Sequence, residues 1–190
     1  MGRNGDKKQR IIESAKRLIH RQGYHQTTLA DIAADSGVSI GNIYYYFNTK
    51  KQIVKAIIDE RTAKFLALTQ QWELDPDPKN RLLAFLEIPA TIEKAVAQYG
   101  CAVGSLLQEI SKSNEIEPDL AHKTLKVQID WVTEQFRLLG KPNALELAYN
   151  FIATIQGSCL LANSMKNHEI LHRQLNFLRK TLHEAEHCRT

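Results

Sequence analysis

The chain has 190 residues, 43% of them hydrophobic and 24% charged, which is ordinary for a globular protein long enough to bury a core. It has no apolar run that could span a bilayer and no charged-then-apolar leader, and its three cysteines, Cys101, Cys159 and Cys188, are too scattered for a disulfide framework, so a cytoplasmic protein is expected. The net charge of +4 lies entirely in residues 1–50, where eight Lys or Arg face four Asp or Glu; beyond them, seventeen of each sign cancel. A basic segment joined to a neutral remainder is the charge pattern of a nucleic-acid module, although a solvated tail would produce the same balance.

In chain order, Met1–Asp6 is polar and expected to fray. Lys7–Gln22 carries Ile11, Ile12, Ala15, Leu18 and Ile19 at helical spacing, and Gly23 ends that helix. Thr28 with Asp31 three residues on marks the next helix start. Gly37 supplies the permissive backbone of a tight turn, and Ser39 is placed to cap a helix over Ile40–Phe47. Thr49 and Gln52 have the spacing of a capping box opening a long helix from Lys50 to about Trp72. Asp75-Pro76-Asp77-Pro78 is a loop, and Lys79–Tyr99 is expected to be one helix kinked at Pro89. A break at Gly100–Gly104 precedes a short helix over Ser105–Ser111. Pro118 opens a helix to Leu139, Asn143 caps one from Ala144 to about Met165, and His168–Glu186 is the last. No period-two alternation is present. The expected fold is all-α, with about nine helices: a three-helix helix-turn-helix domain over 1–49 and a helical domain over 50–190.

The run Thr27–Ile53 is more specific than a generic helix-turn-helix. Its paired threonines, Asp31-Ile32-Ala33, Gly37-Val38-Ser39, Gly41, the Tyr44-Tyr45-Tyr46-Phe47 block and Lys50 resemble the DNA-binding signature of TetR-family transcriptional repressors. The resemblance implies that Thr27, Thr28, Ser39, Ile40, Gly41, Asn42, Tyr44, Tyr45 and Lys50 occupy DNA-contacting positions. Thr28, Tyr44, Tyr45 and Lys50 would hold phosphates, while Ile40, Asn42 and Tyr45 would face bases. Ile40 departs from the polar residue common there; a thymine methyl would suit it. Tyr46 and Phe47 are expected in the core.

The resemblance also implies a homodimer joined through the last two long helices, a double-stranded operator as partner, and a small-molecule inducer. The apolar Leu147, Phe151, Ile152, Ile155 and Leu160, facing a stripe of Leu171, Leu175, Leu178 and Leu182, agree with helices packed against another chain or buried within one. Candidate inducer contacts are Phe65, Trp72, Phe85, Ile88, Ile92, Trp131, Phe151 and Ile155, each of which would serve equally as core. Cys101, in a Gly-Cys step ahead of a short helix, resembles a subgroup whose members sense electrophiles or oxidants through that thiol; the rival reading is a small buried residue.

No phosphate loop, nucleophile elbow or metalloprotease signature is present, so no enzyme and no cofactor is expected. The pairs His168/His172 and His183/His187, the second followed by Cys188, have metal-ligand spacing but no third ligand, and are read as solvated. Repression with induction is therefore the leading expectation. The alternatives are a thiol sensor acting through Cys101, a DNA-binding protein of this fold with no inducer, and an enzyme carrying a helix-turn-helix.

Overall fold

The computed structural model describes residues 2–112 and 118–184, and all of its regular structure there is helical. Ten helices follow in order: α1 Gly2–Gln22, α2 Leu29–Ser36, α3 Ile40–Tyr46, α4 Lys50–Trp72, α5 Pro78–Ala90, α6 Glu93–Tyr99, α7 Gly104–Lys112, α8 Pro118–Leu138, α9 Ala144–Ser164 and α10 His168–Glu184. Two boundaries differ from expectation. The helix α1 extends back to Gly2, because once a turn is nucleated each further residue adds a hydrogen bond at little cost. The single helix expected over Lys79–Tyr99 is two: Pro89 stands one residue before the end of α5, where its missing N–H and its ring stop the ladder, and the chain turns at Thr91-Ile92 before α6. His187 of the second histidine pair, the end of the last helix beyond Glu184 and Cys188 lie outside the described residues.

The chain forms two compact units, and the divisions between them fall inside α4, between α6 and α7, and inside α8. The first comprises residues 1–63 with 102–124, the second 64–101 with 125–190. In the first, α1 packs on α2 and α3, with Ile11, Ala15, Ile32 and Ile43 excluded from solvent. Arg10 Nη2 donates to the Ser36 carbonyl at 2.6 Å, closing the C-terminus of α2. Ser14 Oγ and Arg17 Nη2 both donate to Asp35 Oδ2 at 2.6 Å. These bonds hold Asp35 below its ordinary carboxylate range, the Ser14 hydroxyl contributing most. Lys16 pairs with Glu60 and so ties α1 to α4. Asp59 on α4 accepts from Lys123 on α8 at 2.6 Å, while the Thr62 and Thr124 hydroxyls lie 3.1 Å apart in the buried seam beside it.

The second unit is organised on α9 and α10, which pack on each other and on α6 and α5 respectively. Leu171, Leu175, Leu178 and Leu182 of α10 meet Ala148, Phe151, Ile155, Cys159 and Ala162 of α9 in one core. Truncating one of these leucines to alanine would cost about 2–5 kcal/mol. Between the two helices Lys166 adopts φ 50, a left-handed closing position, and the Asn167 N–H donates back to the Ala162 carbonyl at 2.9 Å. Asn143 stands at the N-cap of α9 without making the expected side-chain cap bond.

Candidate nucleic-acid interface

The local chemistry of residues 23–53 builds the helix-turn-helix. Thr28 and Asp31 form a reciprocal capping box: the Asp31 N–H donates to Thr28 Oγ1 at 3.1 Å, and the Thr28 N–H to Asp31 Oδ2 at 2.9 Å. The Thr28 side chain and then its backbone N–H lower the Asp31 pKa. Gly37 ends α2 in the left-handed region (φ 64), which favours glycine, and a Cβ there would come within 2.8 Å of Arg10 Nη2 and displace the end of that side chain. Ser39 stands at the N-cap of α3 but makes no cap bond; its Oγ accepts from Asn42 Nδ2 at 2.9 Å. This ties two of the expected DNA-contacting residues together. At the start of α4 the Gln52 N–H donates to Thr49 Oγ1 at 3.3 Å, and the Gln52 side chain reaches the Asn48 N–H at 2.8 Å, one residue beyond an ideal box.

This framework leaves one outward face on α3. Ile40 is 43% exposed, Tyr44 51% and Tyr45 74%, whereas Ile43 and Phe47 are buried. Tyr45 and Tyr46 meet edge to face, ring centroids 5.0 Å apart, so the Tyr45 ring is braced while its hydroxyl end stays in solvent. Gly41 lies exposed, and a Cβ built on it would meet nothing within 4 Å.

Two of the expected contact residues are placed differently from their neighbours. Thr27 is fully buried, its hydroxyl donating to the Gly23 carbonyl at 2.7 Å. Lys50 lies over the Tyr24 ring, 4.2 Å from its centroid, and donates to the Tyr24 and Thr27 carbonyls at 2.6 and 2.8 Å. The ammonium therefore clasps the α1–α2 turn to the start of α4. Because both acceptors are neutral carbonyls, the bonds fix geometry without cancelling charge. Neither role is visible in the sequence, although the Gly23–Thr27 spacing of four hints at the first. Glu109 on α7 was not anticipated at all: it accepts from the His25 N–H at 3.2 Å and sits 3.1 Å from where a Gly23 Cβ would be, so α7 braces the same turn.

The residues expected around an effector fall in the second unit. Phe65, Phe85, Phe151 and Ile155 are buried in its core, with Trp72, Trp131 and Cys101 packed against it, while Ile88 and Ile92 are exposed. The rings interlock. Phe85 stacks on Trp131 with centroids 6.2 Å apart, Trp72 and Trp131 are 5.3 Å apart, and Phe65 meets Trp72, Phe85 and Trp131 edge-on. The Trp131 indole N–H donates to Glu73 Oε1 at 2.9 Å, anchoring the cluster's polar edge. A cavity of about 390 Å³ opens beside it among α8, α9 and α10, lined by Phe136, Leu147, Phe151, Phe177, Leu178 and Leu182, with Lys141 and Asn143 among its polar residues. Of the effector residues read from the sequence, Phe151 alone lines this cavity. Among the described residues no helix is long and apolar enough to cross a membrane. His172 of the first histidine pair lies 3.2 Å from Glu93.

Residues 11–57 match the model of bacterial regulatory proteins, tetR family. Over 158 residues the chain is 40% identical to the HTH-type transcriptional regulator TtgR of Pseudomonas putida, covering 77% of this chain and 75% of that one. It is 30% identical over 190 residues to an HTH-type transcriptional regulator from the lacX 3′ region of Lactococcus lactis, covering 94% of each. Two solved structures share the fold. A TetR regulator from Legionella pneumophila has a TM-score of 0.79 at 23% identity over 90% of this chain and 95% of that one, and a TetR-family regulator from Agrobacterium tumefaciens has 0.82 at 20% identity over 94% and 98%.

Proposed function

The chain belongs to the TetR family of helix-turn-helix transcriptional regulators, which act by binding DNA and are not enzymes, and we propose that it is a dimeric repressor that a small molecule releases from a two-fold operator. The observation that carries the reading is the outward face of α3. A bare Gly41, the tied pair Ser39–Asn42 and three exposed side chains, Ile40, Tyr44 and Tyr45, project from a helix whose other side is locked into a core. Recognition helices need such a face, with short residues toward the base edges and longer hydroxyl-bearing ones toward the phosphates. In this reading Ile40 and Asn42 face bases, Thr28, Tyr44 and Tyr45 hold phosphates, and Thr27 and Lys50 position the turn that carries Thr28. The DNA-binding role is assigned to residues 1–49 and the remaining roles to 50–190, in a cytoplasmic protein.

The dimer is supported by what α9 and α10 leave uncovered. Leu145, Tyr149, Leu160, Leu161 and Met165 at or beside α9, and Phe177 on α10, are all about half exposed or more, an apolar face of the kind that interfaces cover. The inducer is assigned to the aromatic cluster of Phe65, Trp72, Phe85, Trp131 and Phe151, which an apolar, ring-containing molecule would enter by displacing rings. It shifts the protein only in so far as it binds the released state better than the DNA-bound one.

The test begins with DNA selected from a random duplex library by the full-length protein. The expected product is a palindrome with two half-sites, bound by two or a larger even number of chains. Asymmetric selected sites bound by single chains would refute the dimeric repressor. A melting-temperature screen of aromatic compounds on the same protein follows. A compound that raises the melting temperature should weaken binding to the selected duplex; one that raises it while leaving DNA affinity unchanged argues for a regulator without an inducer.

A further inference from the structure

One peptide plane in the α1–α2 turn is gripped at both ends by opposite charges. The Tyr24 carbonyl accepts from Lys50 Nζ at 2.6 Å, and the N–H of the same peptide, that of His25, donates to Glu109 Oε2 at 3.2 Å. The carbonyl and N–H of a planar trans peptide point in opposite directions, so a cation on one and a carboxylate on the other fix its rotation as well as its place. Weaker bonds hold the residues on either side. The Thr27 hydroxyl donates to the Gly23 carbonyl at 2.7 Å, the Gln22 side chain to the Gln26 carbonyl at 3.4 Å, and Lys50 also to the Thr27 carbonyl at 2.8 Å. Gly23, at φ 88, leaves the carboxylate its room: a Cβ there would lie 3.1 Å from both Glu109 oxygens and displace the end of that side chain. The carboxylate also has a firm support, since Leu106, Leu107 and Ile110 beside it on α7 are buried and α7 packs on α1.

We infer that Glu109 is a positioning residue for DNA binding, whose carboxylate, opposite Lys50, sets where Thr28 and the start of α2 stand against the duplex. This role rests on the regulator reading, in which Thr28 meets a phosphate. Thr28 caps α2 together with Asp31 and directly follows the clasped Thr27 carbonyl, so it takes its place from the turn. A hydroxyl has to stand within hydrogen-bond distance of a phosphate oxygen, and a turn free to rotate one peptide plane would carry it out of reach. The sign of the charge separates position from attraction. Residues 1–50 hold the whole positive excess of the chain, and a carboxylate turned onto that segment weakens its pull on a polyanion. Glu109 therefore lowers affinity by its charge and raises it by its hold on the turn, and the two effects can be removed one at a time.

The test compares the full-length wild type with Glu109→Ala and Glu109→Gln on the duplex that the wild type selects, at one salt concentration. Glutamine keeps an acceptor for the His25 N–H and drops the charge; alanine drops both. Positioning predicts a loss of about fivefold or more for Glu109→Ala, as one lost hydrogen bond would give, with Glu109→Gln within about twofold of wild type or tighter. If charge alone matters, both variants bind more tightly than wild type, and that result overturns the inference, as does Glu109→Ala binding like wild type. Both variants should keep the wild-type helix content at the assay temperature; a loss of affinity matched by a loss of helix overturns positioning in favour of a structural role. Without DNA, the His25 amide should exchange with deuterium about tenfold faster or more in Glu109→Ala and near the wild-type rate in Glu109→Gln. An unchanged rate in Glu109→Ala overturns the clasp. The two arms tell two failures apart. Faster exchange in a protein whose wild type selects no duplex sinks the regulator reading and this role with it, whereas a selected duplex bound alike by all three chains sinks the role of Glu109 alone.

Discussion

Gly41 allows stability and function to be separated at one atom. It is the second residue of α3, its φ is not in the left-handed region, and a Cβ added to it meets nothing within 4 Å. Neither torsion nor packing within the protein therefore requires glycine. In a helix alanine is favoured over glycine by about 0.5–1 kcal/mol, so Gly41→Ala should stabilise the isolated protein. For a chain of this size the expected rise in Tm is about 1–4 °C. If the glycine is there so that a base edge or sugar-phosphate backbone can approach the helix, the same methyl must push the duplex away or force side chains off their rotamers. Overpacking of that kind costs about 1–3 kcal/mol, or roughly a 5- to 150-fold loss of affinity. The assay is a melting curve and a fluorescence-anisotropy titration of the selected duplex, at one salt concentration and on one preparation, because affinity for DNA falls steeply with salt. A variant more stable than wild type that binds within twofold of it would refute close approach at Gly41. A less stable variant would refute the claim that the fold makes no demand there.

Gly37→Ala should act in the opposite sense: it forces alanine into φ 64 and displaces Arg10 from the Ser36 carbonyl, for a loss of about 1–2 kcal/mol measured by denaturant unfolding, whereas Gly37→Asn, which tolerates that torsion better, should lose less. Asp35 has its pKa lowered in the folded protein, so its contribution is fully present above the ordinary value of 3.8 and is lost as pH falls through the lower folded value. Asp35→Asn should therefore flatten the acid limb of the stability-against-pH curve below about pH 4, and an unchanged limb would show that the bonds from Ser14 and Arg17 stabilise nothing. Leu160→Asp changes an exposed residue of α9. It should leave the secondary structure intact while sedimentation shows loss of the dimer and operator affinity falls by more than tenfold; a dimer that persists refutes α9 as its interface.

The residues of the helix-turn-helix were legible because each is set by local chemistry. The Thr28–Asp31 box, the left-handed Gly37 and the start of α4 at Lys50 depend on partners three or four residues away, and such partners can be read along the chain. The break after Ala90 was half legible: Pro89 announced a disturbance, but whether the chain kinks or stops depends on what packs beyond it, and here it turns at Thr91-Ile92. The residues expected around an effector could be read only as apolar side chains on helical stripes. Helical periodicity selects a face but not what that face meets, so it ranked Ile88 and Ile92, which are exposed, beside Phe85 and Trp131, whose rings stack, and it missed the cavity lined by Leu147 and Phe177.

By itself the sequence determined the helical fold, the place of the helix-turn-helix and the family, because helix periodicity, caps and turn glycines are short-range and leave few alternatives. Tertiary structure alone decided that Lys50 clasps two carbonyls of the α1–α2 turn and that Glu109 reaches back 84 residues to His25. These are pairings between residues distant along the chain, brought together by the packing of whole helices, and no spacing in the sequence encodes them.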